Sequence, residues 1–357
     1  MMLRGLPGDD FVRMTREIKI GNIAIGAGNS IAVQSMTNTN TADFDATLAQ
    51  ILMLEEAGCD IVRSTFNTPD CADSFKRIRK CINIPIVADI HFDYKLAVLA
   101  ACSGADKIRI NPGNIGGEKE IREVVKAATD AGIPIRVGAN TGSIDRNLIE
   151  EKGHAAALVE STIKNVDIIA SMGFENIVIS LKASDASVCI EAAEMISKLT
   201  DFPLHIGVTE AGLYEDALIK SAMGLGAILI KGIGDTIRVS ITGDPVREIK
   251  VAKKILSFAG GSAEGVEIIS CPTCGRCSLD IERIAKEIEE KTTDIKKKLK
   301  IAVMGCAVNG PGEARDADFG VAGGKNEGLL FVKGNPFKKV SENDIVKEIV
   351  NIIREVN

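Results

Sequence analysis

Short β-rich runs recur eight times along the first two thirds of the chain, each followed by a stretch of helical character. That alternation constrains the fold more than any other feature. The runs begin at Ile31 (IAVQSMTN), Cys59 (CDIVRSTF), Ile84 (IPIVADIH), Asp106 (DKIRINPG), Ile133 (IPIRVGAN), Asn176 (NIVISLKAS), Pro203 (PLHIGVTE) and Ala227 (AILIKGIG). Intervening stretches such as DATLAQILMLEEAG and EKEIREVVKAATDAG are amphipathic, and several end in Gly, the residue that most often closes a helix. Eight β-then-α units match an α/β fold of the (β/α)8 TIM-barrel type, which takes about 250 residues. A doubly wound open sheet is the rival. It has fewer strands and a Gly-rich turn after the first, where this chain carries SMTNTNTADF. A short pair, EIKIGNIAIG, precedes the units and reads as a hairpin turning at Gly21-Asn22.

After the eighth unit comes a helix, PVREIKVAKKILSF, and then the Gly/Ser-rich segment AGGSAEG. Such composition makes a flexible connector. The expected organisation is a barrel over 1–258, a linker over 259–265 and a second domain over 266–357. That second domain reads as a small α/β unit. It has a helix in LDIERIAKEIEEKTTDIKKKL, strands in KIAVMG, DFGVAGG and GLLFVKG, and a closing helix in ENDIVKEIVNIIREV.

Barrels of this type bind their substrates at the carboxyl ends of the strands, and side chains alternate in and out along each strand. Parity therefore groups Arg109 with Asn111, Arg136 with Gly138 and Asn140, Ser180 with Lys182, and His205 with Gly207 and Thr209. Glu210 lies just past the end of the seventh run, Arg63 ends the second, and Asp89 and His91 end the third. Arg238 and Ser240 follow the eighth. An ordinary barrel interior is apolar, and burying several cations without partners is costly. Guanidinium forks suit phosphate or diphosphate, so these residues read as a site for a multiply charged anion. The bland alternative is a ring of paired ions. His154 reads as a surface residue and His205 as packed inside.

Nine cysteines without a secretory context argue against a disulfide framework. Cys59, Cys71, Cys81, Cys102 and Cys189 are scattered singly and read as small buried hydrophobes. The others cluster. Cys271, Cys274 and Cys277 stand at two-residue gaps in SCPTCGRCSLD, and Cys306 follows in VMGCAVNGPGE. Structural zinc takes two close pairs, and the second pair is missing here. The spacing is nearer to that of an iron–sulfur protein, with zinc and inert thiols as the alternatives. Glu313, seven residues after Cys306, and Cys277 compete for a fourth position. A carboxylate would leave an iron that substrate can reach.

The formal net charge of −6 disfavours nucleic acid as a general partner without excluding a locally basic pocket. No run of eighteen apolar residues is present to span a membrane. The opening MMLRGLPGDDFVRM lacks the apolar core and cleavage site of a leader. The expectation is a cytoplasmic protein.

Taken together, SCPTCGR, VMGCAVNGPGEA, Gly232–Thr242, IGVTEAG and ADIHFD resemble, in order and over essentially the whole chain, the bacterial 4-hydroxy-3-methylbut-2-enyl diphosphate synthase family in its two-domain form. CAVNGPGE is the most specific of these motifs. The resemblance implies reductive ring opening and dehydration of 2-C-methyl-D-erythritol 2,4-cyclodiphosphate in the non-mevalonate route to isoprenoids. It implies a 4Fe-4S cluster on Cys271, Cys274, Cys306 and Glu313. It implies substrate contacts from Arg63, Arg109, Asn111, Arg136, Asn140, Lys182, Thr209, Glu210, Arg238 and Ser240, with Glu210 and Glu313 catalytic. The electron donor would be flavodoxin or ferredoxin. The assembly would be a homodimer in which the cluster domain of one subunit caps the barrel of the other. Two rivals stay open: a pterin-synthase-like barrel transferase with a structural zinc module, and a non-enzymatic iron–sulfur carrier, which would need no anion pocket.

Overall fold

The computed structural model describes residues 13–140, 144, 146–260, 265–295, 297–306, 312 and 315–356. It divides into two compact units, Met1–Ser262 and Ala263–Asn357. The Gly/Ser-rich segment spans that division, and most of it lies outside the described residues.

In the first unit, strands β1 (Ile18–Ile20) and β2 (Ile23–Ile25) form the expected hairpin, with Ile20 opposite Ile23. Eight parallel strands then close into a barrel. They are β3 (Ala32–Met36), β4 (Ile61–Thr65), β5 (Ile86–Asp89), β6 (Lys107–Ile110), β7 (Ile135–Asn140), β8 (Ile177–Lys182), β9 (Leu204–Ile206) and β10 (Thr236–Ile237). Each pairs with the next, and β10 pairs back onto β3. Outward residues such as Val62, Ile108, Ile135 and Ile179 join the helices in one large apolar cluster. A smaller cluster of Ile18, Ile20, Ile25, Ala32, Ile61, Val87 and Val178 brings the hairpin together with inward residues of the strands. The barrel interior is apolar there and polar beyond it.

One element differs from the sequence expectation. The run at Ala227 is the last turn of the helix Tyr214–Ile230, and the eighth strand is Thr236–Ile237. A four-residue apolar run carries no period that separates helix from strand. Here it continues a helical apolar face, with Leu225, Ile228 and Leu229 buried.

The second unit is a five-stranded sheet in sequence order: β11 (Val266–Ser270), β12 (Leu299–Met304), β13 (Phe319–Gly324), β14 (Glu327–Val332) and β15 (Asn335–Ser341). The first three are parallel and the rest antiparallel. The helices Ile281–Lys291 and Ile345–Val356 share one apolar cluster with the sheet. The helix expected to run on through KKKL stops at Lys291, and the Thr292 hydroxyl turns back onto the Ile288 carbonyl (2.7 Å). Two strands escape the sequence reading, and both are edges. β15 carries Pro336, Lys338 and Lys339 and is exposed along most of its length. Proline and lysine are what natural sheets place on an edge to block further pairing. No helix among the described residues is long and apolar enough to cross a membrane.

Candidate active site

Period-two alternation puts a continuous polar set inside the barrel. Gln34, Arg63, Asp89, Lys107, Arg109, Arg136, Ser180, Lys182, His205 and Thr236 are all inward, and all are buried except Arg63, which is nearly so. Long side chains need room, and two inward glycines provide it. A Cβ on Gly138 would stand 2.7 Å from Arg109 Nε, and one on Gly207 would stand 3.0 Å from Lys182 Nζ and collide with the Arg238 carbonyl. The sequence therefore alternates large and absent side chains around the ring, which lets five cations enter one interior.

Their compensation is partial. Asp89 lies between Arg109 NH1 (3.2 Å), Arg63 Nε (3.7 Å) and His91 Nε2 (3.7 Å). Glu248, from the helix Val246–Phe258, holds Arg238 through both its oxygens at 3.0 and 3.1 Å and accepts from Ser35 Oγ at 2.7 Å. Arg136 donates to Gln34 Oε1 (2.8 Å), and His205 Nδ1 meets Thr236 Oγ1 (2.8 Å). Arg136 Nε, Arg109 Nε, Lys107 Nζ and His205 Nε2 are buried without a hydrogen-bond partner among the described residues. Six basic side chains, Arg63, Lys107, Arg109, Arg136, Lys182 and Arg238, thus face two buried carboxylates among the described residues.

The protonation equilibria follow from that imbalance. Burial opposes ionisation of Asp89, but Arg63, Arg109, His91 and Arg136 outweigh it and hold the carboxyl down at about 2. Burial lowers Arg63 to about 10 despite Asp89. Arg136, Lys182 and Lys107 are pushed well below their ordinary values, first by burial and then by one another and by neighbouring arginines. His205 is held neutral by the same two effects.

At the carboxyl ends, Asn111 caps the short helix Pro112–Ile115, its side chain accepting from Gly113 N (3.3 Å). Thr209 and Ser240 are half-buried, and Glu210 is exposed. Glu210 takes φ of +53°, a left-handed conformation that costs a non-glycine residue roughly 1–2 kcal/mol. Asn140 ends β7 in register with Lys182, and its side chain lies outside the described set. Parity had selected Arg109, Asn111, Arg136, Lys182 and Thr209 for one interior, and the barrel brings them there. It missed Lys107, although Lys107 shares parity with Arg109, and it missed Glu248, whose helix no strand pattern points to.

The histidines divide as their surroundings suggest: His205 is fully buried, and His91 and His154 are exposed. Of the five scattered cysteines, Cys59, Cys71 and Cys189 are buried, while Cys81 and Cys102 sit on helix ends and are exposed, against the expectation for all five.

In the second unit, Cys271 follows β11 and Cys306 follows β12, and those strands are parallel neighbours, with Ser270 in register with Val303. Both thiols therefore stand at the same sheet end. Gly305 N donates to Cys271 Sγ (3.2 Å), and Cys274 lies exposed on the turn between. Cys277 is turned into the apolar layer, donating to the Leu279 carbonyl (3.1 Å). Glu313 lies outside the described residues. Among the described residues no three Cys, His, Asp or Glu side chains stand together as a metal site. The donor chemistry nevertheless fits an iron–sulfur cluster, since thiolates at one sheet end with a backbone N–H directed at sulfur are how such clusters are held and tuned.

A closed parallel barrel with a polybasic interior, followed in the chain by a thiol-bearing α/β unit, defines a two-domain enzyme of the TIM-barrel class. Residues 15–253 match the GcpE TIM-barrel domain and residues 267–355 the GcpE protein C-terminal domain, and the chain belongs to the GcpE family. The 4-hydroxy-3-methylbut-2-en-1-yl diphosphate synthase (flavodoxin) of Caldanaerobacter subterraneus subsp. tengcongensis is 54% identical, covering 96% of this chain and 98% of the relative. Its namesake from Clostridium perfringens is 53% identical over 96% and 99%, and that from Fusobacterium nucleatum subsp. nucleatum 52% over 96% and 98%. The dihydropteroate synthase of Stenotrophomonas maltophilia shares the fold at a TM-score of 0.50 and 14% identity, over 67% of this chain and 97% of that one. That likeness concerns fold alone.

Proposed function

We propose that the chain catalyses reductive ring opening and dehydration of 2-C-methyl-D-erythritol 2,4-cyclodiphosphate to 4-hydroxy-3-methylbut-2-enyl diphosphate. The observation that carries the reading is the imbalance inside the barrel, where six basic side chains face two buried carboxylates among the described residues. A cyclic diphosphate supplies the missing negative charge, and relatives 54%, 52% and 53% identical to this chain carry a diphosphate in their names.

Arg63, Arg109, Arg136, Lys182 and Arg238 bind the phosphate oxygens. Asn111, Asn140, Thr209 and Ser240 orient the sugar carbons at the rim through neutral hydrogen bonds. Glu210, displayed at the mouth by its left-handed backbone, holds the proton that leaves with water. Cys271, Cys274, Cys306 and Glu313 would hold a 4Fe-4S cluster, which when bound supplies the two electrons one at a time. The relatives' names carry flavodoxin, and we take a flavodoxin, in preference to a ferredoxin, as the electron-donor protein. We assign a homodimer in which each cluster unit serves the partner's barrel. The exposed apolar side chains of Ile219, Met223 and Ile230 on one barrel helix support self-association.

Anaerobic turnover tests the reading. Protein reconstituted with iron and sulfide should be brown and should convert the cyclodiphosphate with dithionite and a viologen mediator. A colourless zinc protein that binds a pterin would favour the transferase alternative, and a loaded protein that leaves the cyclodiphosphate unchanged would sink the proposal.

A further inference from the structure

Lys107 is a basic group in the barrel interior. It is fully buried, stands in register with Val87, and its Nζ has no hydrogen-bond partner among the described residues. The groups that act on it electrostatically are Arg136, Arg63 and His205, and the other charged groups on inward strand positions are Asp89, Lys182 and Arg109. The single carboxylate among them is engaged by Arg109 and Arg63, and no acid forms an ion pair with Lys107 among the described residues. The apolar end of the interior, formed by Ile61, Val178 and the hairpin, includes its register partner Val87. A charged amine so placed is very costly, and burial together with Arg136 and Arg63 drives Nζ toward its neutral form.

Within the proposed function, we infer that Lys107 is a positioning residue that is charged only when the site is filled: a diphosphate entering the mouth is accompanied by uptake of one proton from solvent at Lys107 Nζ. The amine becomes an ammonium, no bond to the anion is required, and the arriving negative charge is balanced from below as well as from the mouth. Release of the anion returns the proton. Inference and function are separable, since the barrel could bind a diphosphate with no proton taken up.

Titration calorimetry of the full chain near pH 8, in buffers of different ionisation enthalpy, tests this. With inorganic pyrophosphate the wild-type protein should take up about one proton more than Lys107→Met, the ligand's own exchange cancelling in the difference. Affinity should fall about tenfold in the variant. Thermal unfolding should occur at an equal or higher temperature, because an unpaired buried amine has been replaced by an apolar side chain of similar size. A purely structural lysine would lower it. Sulfate, which carries no titrating proton near pH 8, repeats the count without ligand exchange, and Lys107→Leu repeats the comparison should Lys107→Met misfold. Absence of any binding overturns the anion site and this inference together. Binding without buffer-dependent heat, or equal uptake in Lys107→Met, overturns this inference alone.

Discussion

The two units handle their polar groups in opposite ways. In the barrel, cations are buried and held in place by Asp89, Glu248 and Gln34 before any ligand arrives. In the second unit the thiols stand at a sheet end, with Cys274 exposed and no three donors together among the described residues. The first arrangement is preorganised: the fold has already borne the cost of desolvating charge, and a matching anion recovers part of it. The second is a set of soft donors whose geometry depends on what they bind, as metal sites couple binding to local folding. On the proposed function one unit positions a substrate and the other takes up a cofactor, and each should fail in its own way.

The largest effect sharpens that contrast. Cys306→Ser should lose the cluster absorbance and all measurable turnover, while the barrel keeps its fold. Cys277→Ser should change iron content and rate little, since its thiol is engaged by the Leu279 carbonyl in the apolar layer. Glu313→Ala should remove most activity. Iron analysis and anaerobic rates of the three variants side by side check this, and damage from Cys277→Ser with an intact Glu313→Ala would reverse the assignment of the fourth ligand.

Acid should strike the barrel first. The Asp89 carboxyl is held at about 2 in the folded chain against an ordinary value near 3.8. The stability it contributes is therefore complete above the ordinary value and lost as pH falls through about 2. The amount is about 2 kcal/mol. Chemical denaturation between pH 5 and 2 should show this slope in the wild type and a shallower one in Asp89→Asn.

Mixing tests which barrel each cluster unit serves. Co-expressed Arg136→Ala and Cys306→Ser subunits, each inactive alone, should recover about a quarter of the wild-type rate if sites are built across a homodimer and pairing is random. No recovery would place each site within one chain.

The smallest effect probes the room made inside the ring. Gly138→Ala brings a methyl to 2.7 Å from Arg109 Nε. Displacing that side chain should cost roughly 1 kcal/mol of anion affinity, or about fivefold. Unchanged affinity would mean that Arg109 does not need its present position.

The same contrast explains what could be read in the chain. The barrel interior was legible because parity is a local rule: once a strand was recognised, Arg109 and Arg136 had to face inward with Asn111 and Gly138. The eighth strand was misplaced because AILI is apolar on every side and the helix simply continued through it. Lys107 stands at the start of its strand, away from the carboxyl end where such barrels bind substrate, and the role of Glu248 is set by a contact between sequence-distant elements, so neither carries a local signal. In the second unit the edge strands β11 and β15 were missed because edges are half-exposed and lack the apolar alternation of a central strand. The assignment of the thiols as ligands rests on spacing and family likeness, and Glu313 lies outside the described residues.

The central claim is that the barrel binds the diphosphate through its uncompensated cations, independently of the thiols. Calorimetric titration of inorganic pyrophosphate into wild-type, Cys306→Ser and Arg136→Ala proteins, in the same buffer, tests it most directly. The account predicts one site per chain with equal affinity in the wild type and Cys306→Ser, and binding about tenfold to a hundredfold weaker in Arg136→Ala. Full-strength binding by Arg136→Ala, or loss of binding in Cys306→Ser, would contradict it.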